Sequence, residues 1–158
     1  MKKTLLLAIL TLFAVTAVAQ APKRVAVLKT VDRTGTVPHS VKMQLRNSMV
    51  LAISKTPGYE CFEGLDMTPV ADEPTFVRTG TLKESQIKKL GEISGAAALL
   101  VTEVSFFDEN NVLLMAKILD VETACIVAEA PAQVAATNPD AIKQACNQMA
   151  SKLFGNKR

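Results

Sequence analysis

The stretch from Gly95 to Pro131 has the clearest pattern of apolar and polar positions in this chain. Three runs rich in β-branched and aromatic residues are separated by two short polar turns, which is typical of consecutive antiparallel strands. The odd-numbered positions of the first two runs mix charged and apolar side chains, so we expect that face to be only partly exposed to solvent. The even-numbered positions are largely apolar and predict a buried face: Leu100, Thr102, Val104, Phe106, Val112, Leu114, Ala116 and Ile118.

The odd face holds the candidate binding residues. Its apolar side chains lie beside Glu103 and Lys117 in the pattern, and they are Val101, Phe107, Leu113 and Met115. A mixed face of this kind is either covered by a helix or left open for a partner, because large exposed apolar patches usually mark interaction sites. The final helix is a candidate cover. We predict instead that the patch stays at least partly open and binds another protein or a second copy of the chain.

Strands and helices are also predicted before this block. The pattern indicates a strand over residues 24–32, a helix from 38 to about 55, and a short strand over residues 59–63. Residues 64–80 contain prolines and acids without a clear period, and an unpatterned segment of this length is often functional. The next helix is expected to begin at Thr81-Leu-Lys-Glu84, which has capping-box spacing.

That helix should bury one stripe of side chains and end at Gly95, a residue type that commonly follows a helix. The expected stripe consists of Ile87, Leu90 and Ile93. Asn138 and Pro139 are residue types that begin helices, and they predict a last helix that ends at Gly155. The element order is β-α-β-α-β-β-β-α. It predicts an α/β (α+β) fold, in which helices pack on a mixed β-sheet of about five strands.

The first residues carry a targeting pattern. Lys2 and Lys3 form a basic start, residues 5–18 form an apolar run, and Ala17-Val18-Ala19 is a cleavage site of small residues. We therefore expect a secretory signal peptide over residues 1–19, cleaved after Ala19, and a single domain over residues 20–158. The apolar run is shorter than the ~20 residues that a spanning helix needs. No later stretch qualifies, so no transmembrane segment is expected in the mature chain.

Most of the apparent basicity belongs to this signal. The whole chain has 18 Lys and Arg against 15 Asp and Glu, a net charge of +3. Loss of Lys2 and Lys3 leaves 16 basic against 15 acidic side chains, a net charge of +1. A nucleic-acid-binding protein normally shows a basic stripe interleaved with aromatic residues, and this sequence has none. Nucleic acid is therefore not an expected partner.

The sequence contains no recognisable catalytic motif. His39 is the single histidine, and no His-Glu-x-x-His, Cys-x-x-Cys, Gly-x-Ser-x-Gly or phosphate-binding glycine loop occurs. Asp108-Glu-Asn-Asn111 has oxygen ligands for a cation, but this composition also suits a hairpin turn, the favoured interpretation. No catalytic residue, cofactor or metal site is therefore predicted. Cys61, Cys125 and Cys146 allow one disulfide and one thiol after export, and three buried thiols are favoured.

Three segments resemble a group of bacterial envelope domains: Arg24 to Leu28, Leu90 to Leu100, and Leu119 to Ile126. The group comprises the periplasmic domain of the curli-secretion channel, the lipoprotein activators of penicillin-binding proteins, and the amino-terminal domain of the Tol translocation protein. Its shared pattern is a strand Arg-Val-Ala-Val-Leu, a helix leading to Leu-Gly…Gly-Ala…Leu-Leu, and a strand ending Leu-Asp-Val-x-Thr-Gly-x-Ile. Ala124 stands where the group usually has glycine, and the lipid-bearing cysteine of the channel and the activators is missing.

The resemblance implies a periplasmic or secreted α/β domain that acts by binding another envelope component. The segments that build a membrane pore are absent from this chain, which argues against a secretion channel. The leading hypothesis is therefore a non-enzymatic interaction domain, whose partner is an envelope protein or a second copy. The alternative is a small periplasmic enzyme or ligand-binding protein, with the 64–80 segment as a lid and a cysteine as nucleophile.

Overall fold

A computed structural model describes residues 21–62, 81–135 and 138–155. The predicted signal peptide and the 64–80 segment lie outside these residues. The helices and strands, in chain order, are β1 (Lys23–Val27), β2 (Val31–Asp32), α1 (His39–Ser54), β3 (Tyr59–Phe62), α2 (Glu84–Ser94), β4 (Ala98–Phe106), β5 (Asn111–Asp120), β6 (Ile126–Ala135) and α3 (Pro139–Phe154). The predicted fold class is confirmed.

All strands of the described residues join one mixed sheet, in the order β3-β1-β4-β5-β6, with β2 beside β4. β1 is parallel to β3 and β4, and β2 is parallel to β4. β4, β5 and β6 follow one another as antiparallel neighbours. The parallel half therefore depends on helical crossovers and the antiparallel half on tight turns.

The strand predicted over residues 24–32 is interrupted. Val27 pairs with Leu100, and Val31 pairs with Glu103. Val27 and Val31 are four residues apart, whereas their partners on β4, Leu100 and Glu103, are only three residues apart. The extra residue breaks the ladder and divides the predicted strand into β1 and β2.

Helices α1 and α3 cover the even face of the sheet and pack against each other. This confirms the predicted buried face of β4 and β5, where Leu100 and Leu114 are inaccessible to water. The rings of Tyr59 and Phe154 meet edge to face, with centroids 4.8 Å apart, where β3 begins and α3 ends. The final helix, the candidate cover of the odd face, therefore lies on the opposite face.

Helix α2 covers part of the odd face, over β1, β2 and the first half of β4. Ile87 and Leu90 are buried as predicted, but Ile93 is exposed. Gly91 faces inward instead. It packs so closely against Val121 that a Cβ at this position would lie 2.2 Å from Cγ1 of Val121. The predicted stripe of α2 was therefore wrong at Ile93, because the helix backbone approaches Val121, in the turn after β5, with its Gly91 side.

The helix ends are set by local hydrogen bonds. The capping box predicted at Thr81 and Glu84 was wrong, because α2 begins at Glu84 and its capping pair is Lys83 and Gln86. The N–H of Lys83 donates to Oε1 of Gln86 at 2.7 Å. Gly95 ends this helix with a left-handed φ of 61°, as expected for glycine. Asn138 caps α3 as predicted, with Oδ1 accepting the N–H groups of Asp140 and Ala141.

Candidate protein-binding face

The odd-numbered side chains of β4 and β5 fall into two groups. Those nearest β1 lie under α2, whereas those near the β4–β5 turn have no helix of the described residues over them. We call Phe107, Leu113 and Met115 the open patch. Phe107 is 64% exposed and Leu113 is 39% exposed, and Met115 is half-buried. The odd face therefore has solvent-accessible apolar surface at the end near the β4–β5 turn.

Val101 is not part of this patch. It is inaccessible to water and belongs to the cluster of side chains beneath α2, together with Ile87 and Leu90. A partner cannot contact Val101 while the domain stays folded. The prediction of Val101 as a binding residue therefore needs correcting, because strand alternation identified its face without showing that α2 covers that part of it.

Glu103 separates the covered part of the face from the open patch. Its carboxylate is nearly buried, and Oε2 accepts from Nε and Nη2 of Arg33 at 2.9 and 2.8 Å. Oε1 accepts from Nζ of Lys117 at 2.8 Å. Both carboxylate oxygens are therefore satisfied by cations, as a buried charge requires. The result is an ordered polar boundary with an excess of one positive charge.

The ladder places these groups side by side. Glu103 pairs with Met115 across β4 and β5, and Ser105 pairs with Leu113. On β6, Pro131 lies opposite Met115. Phe107 lies beyond the end of β4, where its N–H donates to the carbonyl of Asn111. The open patch therefore extends from the end of the hairpin to Met115, where the Glu103 network borders it.

A second accessible apolar region lies at the start of β6, on the sheet edge. Ile126 and Val127 are both exposed there, although the pattern of this run indicates an ordinary strand. A groove of about 330 Å³ runs between the start of α2 and the β5–β6 turn. It is lined by Thr81, Leu82, Ile87, Lys117, Leu119, Ala124, Cys125 and Ile126. Sequence reasoning missed this region, since the exposed side of an edge strand has no distinct period.

The acidic turn residues serve the backbone. Oδ1 of Asp108 accepts the N–H groups of Asn110 and Asn111, both at 2.9 Å. These bonds, led by the N–H of Asn110, hold the pKa of Asp108 below its usual value. The hairpin-turn interpretation is confirmed. Within the described ranges, no group of three His, Cys, Asp or Glu residues is arranged to hold a metal ion.

The cysteines differ in their surroundings. Cys146 is buried, and this burial raises the pKa of its thiol to about 12. Cys61 is half-buried and its thiol donates to the carbonyl of Val50 at 3.7 Å. Cys125 is exposed in the β5–β6 turn. The expectation of three buried thiols is therefore confirmed at Cys146, holds only in part at Cys61 and was wrong at Cys125. His39 is exposed in the first turn of α1.

Comparison with known proteins shows similarity of fold. No protein-family model matches the chain, and no curated protein matches its sequence. The PelC dodecamer from Paraburkholderia phytofirmans has a TM-score of 0.57 and 11% identity, over 86% of this chain and 90% of that chain. TolB from Acinetobacter baumannii has a TM-score of 0.56 and 12% identity, over 85% of this chain and 28% of TolB. The NMR structure of LpoB from Escherichia coli has a TM-score of 0.56 and 15% identity, over 73% of this chain and 57% of that chain.

These matches confirm the resemblance at the level of the fold. LpoB is a penicillin-binding-protein activator lipoprotein, and TolB is the Tol translocation protein. Both therefore belong to the group of envelope domains that the sequence resembles. The chain corresponds to little more than half of LpoB and to about a quarter of TolB. No helix among the described residues is both long enough and apolar enough to cross a membrane.

Proposed function

We propose that this protein is an exported, non-enzymatic domain of the bacterial cell envelope that binds another envelope protein through the open patch. The exposure of Phe107 and Leu113 on a sheet face carries the proposal. Apolar surface gains free energy when a partner removes it from water, at about 25 cal/mol per Å². Leu113 and Met115 are two residues apart on β5, and Phe107 lies across from Asn111, two residues before Leu113, so one partner surface can span all three.

The boundary of the patch also suits an interface. Protein interfaces commonly have an apolar centre and a polar rim. Here the rim includes Glu103 and Lys117, whose charges are already paired within the domain. A partner that covers Met115 therefore meets an ordered network and leaves no carboxylate newly unpaired.

The cellular setting rests on two independent supports. Residues 1–19 have the basic, apolar and small-residue series of a secretory signal peptide. The fold is shared with LpoB and TolB, members of the envelope group that the sequence resembles.

The first prediction tests the open patch by substituting Phe107→Glu together with Met115→Glu. We expect the melting temperature to stay within a few degrees of wild type, because both side chains are accessible. Capture of the envelope partner after cross-linking in cells should be lost, since two carboxylates would have to be buried against an apolar surface. Circular dichroism and quantitative co-purification measure the two effects.

Ile93→Glu is the matched control, because Ile93 is an exposed apolar side chain on α2 and lies outside the patch. It should preserve both folding and capture. An unfolded double variant would refute the open face, and a folded variant that captures the same partner would place the binding site elsewhere. Light scattering of the purified protein separates self-association from binding of a different protein.

A further inference from the structure

A basic pocket lies beside α1, away from the open patch. It has a volume of about 280 Å³ and opens between the residues that follow β1 and the first two turns of α1. The lining side chains are Lys29, Thr30, His39, Lys42, Met43 and Arg46. Three of these carry a positive charge and none is acidic. The pocket thus collects cations in a domain whose overall charge is nearly balanced.

Arg46 has an unmet hydrogen-bonding requirement in this pocket. Its Nε is buried and has no hydrogen-bond partner. No ion pair within residues 21–62, 81–135 and 138–155 involves its guanidinium group. Buried polar groups in folded proteins are normally hydrogen-bonded, so a buried guanidinium N–H without a partner calls for an explanation. An anionic ligand bound in the pocket would pair with the guanidinium charge, for which the described residues provide no carboxylate.

Lys42 adds a second cation one helical turn away. Lys42 and Arg46 stand at positions i and i+4 of α1, where like charges repel. Lys42 forms an ion pair with Asp32, whose Oδ2 lies 3.5 Å from Nζ. That carboxylate also accepts backbone N–H groups of Thr34, Gly35 and Val37. Lys42 is therefore only weakly paired, and an anion between Lys42 and Arg46 would relieve their repulsion.

The place of the pocket in the fold also favours a ligand. Lys29 and Thr30 follow the carboxyl end of β1, which is parallel to both of its neighbours. In open sheets with parallel strands, ligands bind in the crevice outside the carboxyl ends of the strands. The hydroxyl of Thr30 is 2.8 Å from that of Thr102 and 3.3 Å from the carbonyl of Lys42. These bonds fix the loop against both β4 and α1, so one wall of the pocket is rigid.

We propose that this pocket binds a phosphate group, held mainly by Arg46 and Lys42. The planar guanidinium matches the geometry of phosphate oxygens, and the ammonium group adds a compact charge. The small volume suits one phosphate with a short substituent. A soluble phosphate ester and the headgroup of an anionic lipid present the same chemistry. The site is independent of the open patch and of the proposed protein partner.

The test uses protein purified from cells that express the full chain, titrated with inorganic phosphate and followed by backbone amide NMR. We expect saturable shifts at Thr30, Lys42 and Arg46, with none at Phe107, against sodium chloride of matched ionic strength. Arg46→Met should weaken phosphate binding at least tenfold. It should leave the melting temperature equal or higher, because it removes the buried N–H that has no partner. Lys143→Met, an exposed lysine on α3, is the matched control and should bind like wild type.

Sedimentation with vesicles separates the two sources of phosphate. Binding to phosphatidylglycerol vesicles but not phosphatidylcholine vesicles, lost in Arg46→Met, identifies a lipid headgroup. Saturable phosphate binding without vesicle binding identifies a soluble ester. Absence of saturable shifts with phosphate together with absence of Arg46-dependent vesicle binding would overturn the proposal, as would equal phosphate affinity in Arg46→Met. If that variant fails to fold, Lys42→Gln, at a partly exposed side chain, carries the same test.

Discussion

Ala124 adopts a backbone conformation that suits glycine better than alanine. Its φ is 54°, and it is the non-glycine residue with positive φ in the part of the chain that the structure describes. It lies in the turn between β5 and β6, at the position where the resembling envelope domains usually have glycine. A side chain in the left-handed region clashes with the following carbonyl, at a cost of roughly 1–2 kcal/mol. This turn therefore carries strain at one residue.

The second prediction is that Ala124→Gly stabilises the domain. Relief of the backbone strain should outweigh the extra conformational entropy of glycine in the unfolded chain and the loss of a partly buried methyl group. We expect the free energy of unfolding, measured by urea denaturation, to rise by up to about 1 kcal/mol. Ala128→Gly in β6 is the matched control and should destabilise the domain, because strand geometry gives glycine no advantage there. Equal losses in both variants would contradict the assigned strain.

The pairing of β4 with β5 determines which side chains lie on each face of the sheet. Its register alternates side chains between the core beneath α1 and α3 and the odd face. Ile118 lies on the core side, 6% exposed, and Leu113 lies on the same strand but on the odd face. One strand therefore offers two apolar positions whose substitution should have very different consequences.

The third prediction is that Ile118→Asp unfolds the domain. An unpaired carboxylate buried against α1 and α3 costs several kcal/mol, a large share of the about 5–15 kcal/mol that a domain possesses. Leu113→Asp should instead give a cooperative melt within a few degrees of wild type, because that side chain reaches solvent. Thermal denaturation followed by circular dichroism measures both. A stable Ile118→Asp variant would mean that the two faces have been assigned the wrong way round.

Alternation along the chain was sufficient to predict the core face of β4 and β5, because successive strand residues point to opposite sides. It could not predict which helix covers which face. An amphipathic stripe shows that one side of a helix is buried, but not against which surface, so α3 was considered for the odd face and Val101 was expected to be accessible. The exposure of Ile93 likewise depends on the contact between Gly91 and Val121, which only the packed structure reveals.

In the candidate site too, contacts between neighbours in the sequence could be predicted, whereas contacts between distant residues could not. Phe107, Leu113 and Met115 follow from the pattern of a single hairpin. The pairing of Glu103 with Arg33 joins residues 70 positions apart, and no local pattern encodes it. The pocket at Arg46 was missed for the same reason, since one of its walls comes from the loop after β1.

At the scale of the whole molecule, the fourth prediction is export with loss of residues 1–19. The basic, apolar and small-residue series at the start of the sequence predicts cleavage between Ala19 and Gln20. Intact-mass measurement of protein from the periplasmic fraction should give a chain that begins at Gln20. A chain that retains Met1, or one that carries the added mass of a lipid, would contradict this prediction.

Helices cover most of the sheet, and the part of the odd face that they leave accessible is the proposed binding surface. Two helices close the even face, and α2 closes the half of the odd face next to β1. The remaining half presents Phe107 and Leu113 beside the satisfied charge network of Glu103. A partner that docks there would complete the covering of the sheet. We therefore expect the open patch, rather than the other exposed apolar positions of the described residues, to contact the partner.

Site-specific photocross-linking in living cells can locate the surface that contacts the partner. A photoreactive phenylalanine analogue placed at position 107 should form an adduct with one envelope protein, or with a second copy of the chain, while the same analogue at position 93 should not. Both positions are exposed, so the difference reports contact and not accessibility. We expect a discrete adduct at 107 that disappears when Met115→Glu is added. Equal adducts at both positions, or an adduct at 93 alone, would contradict it.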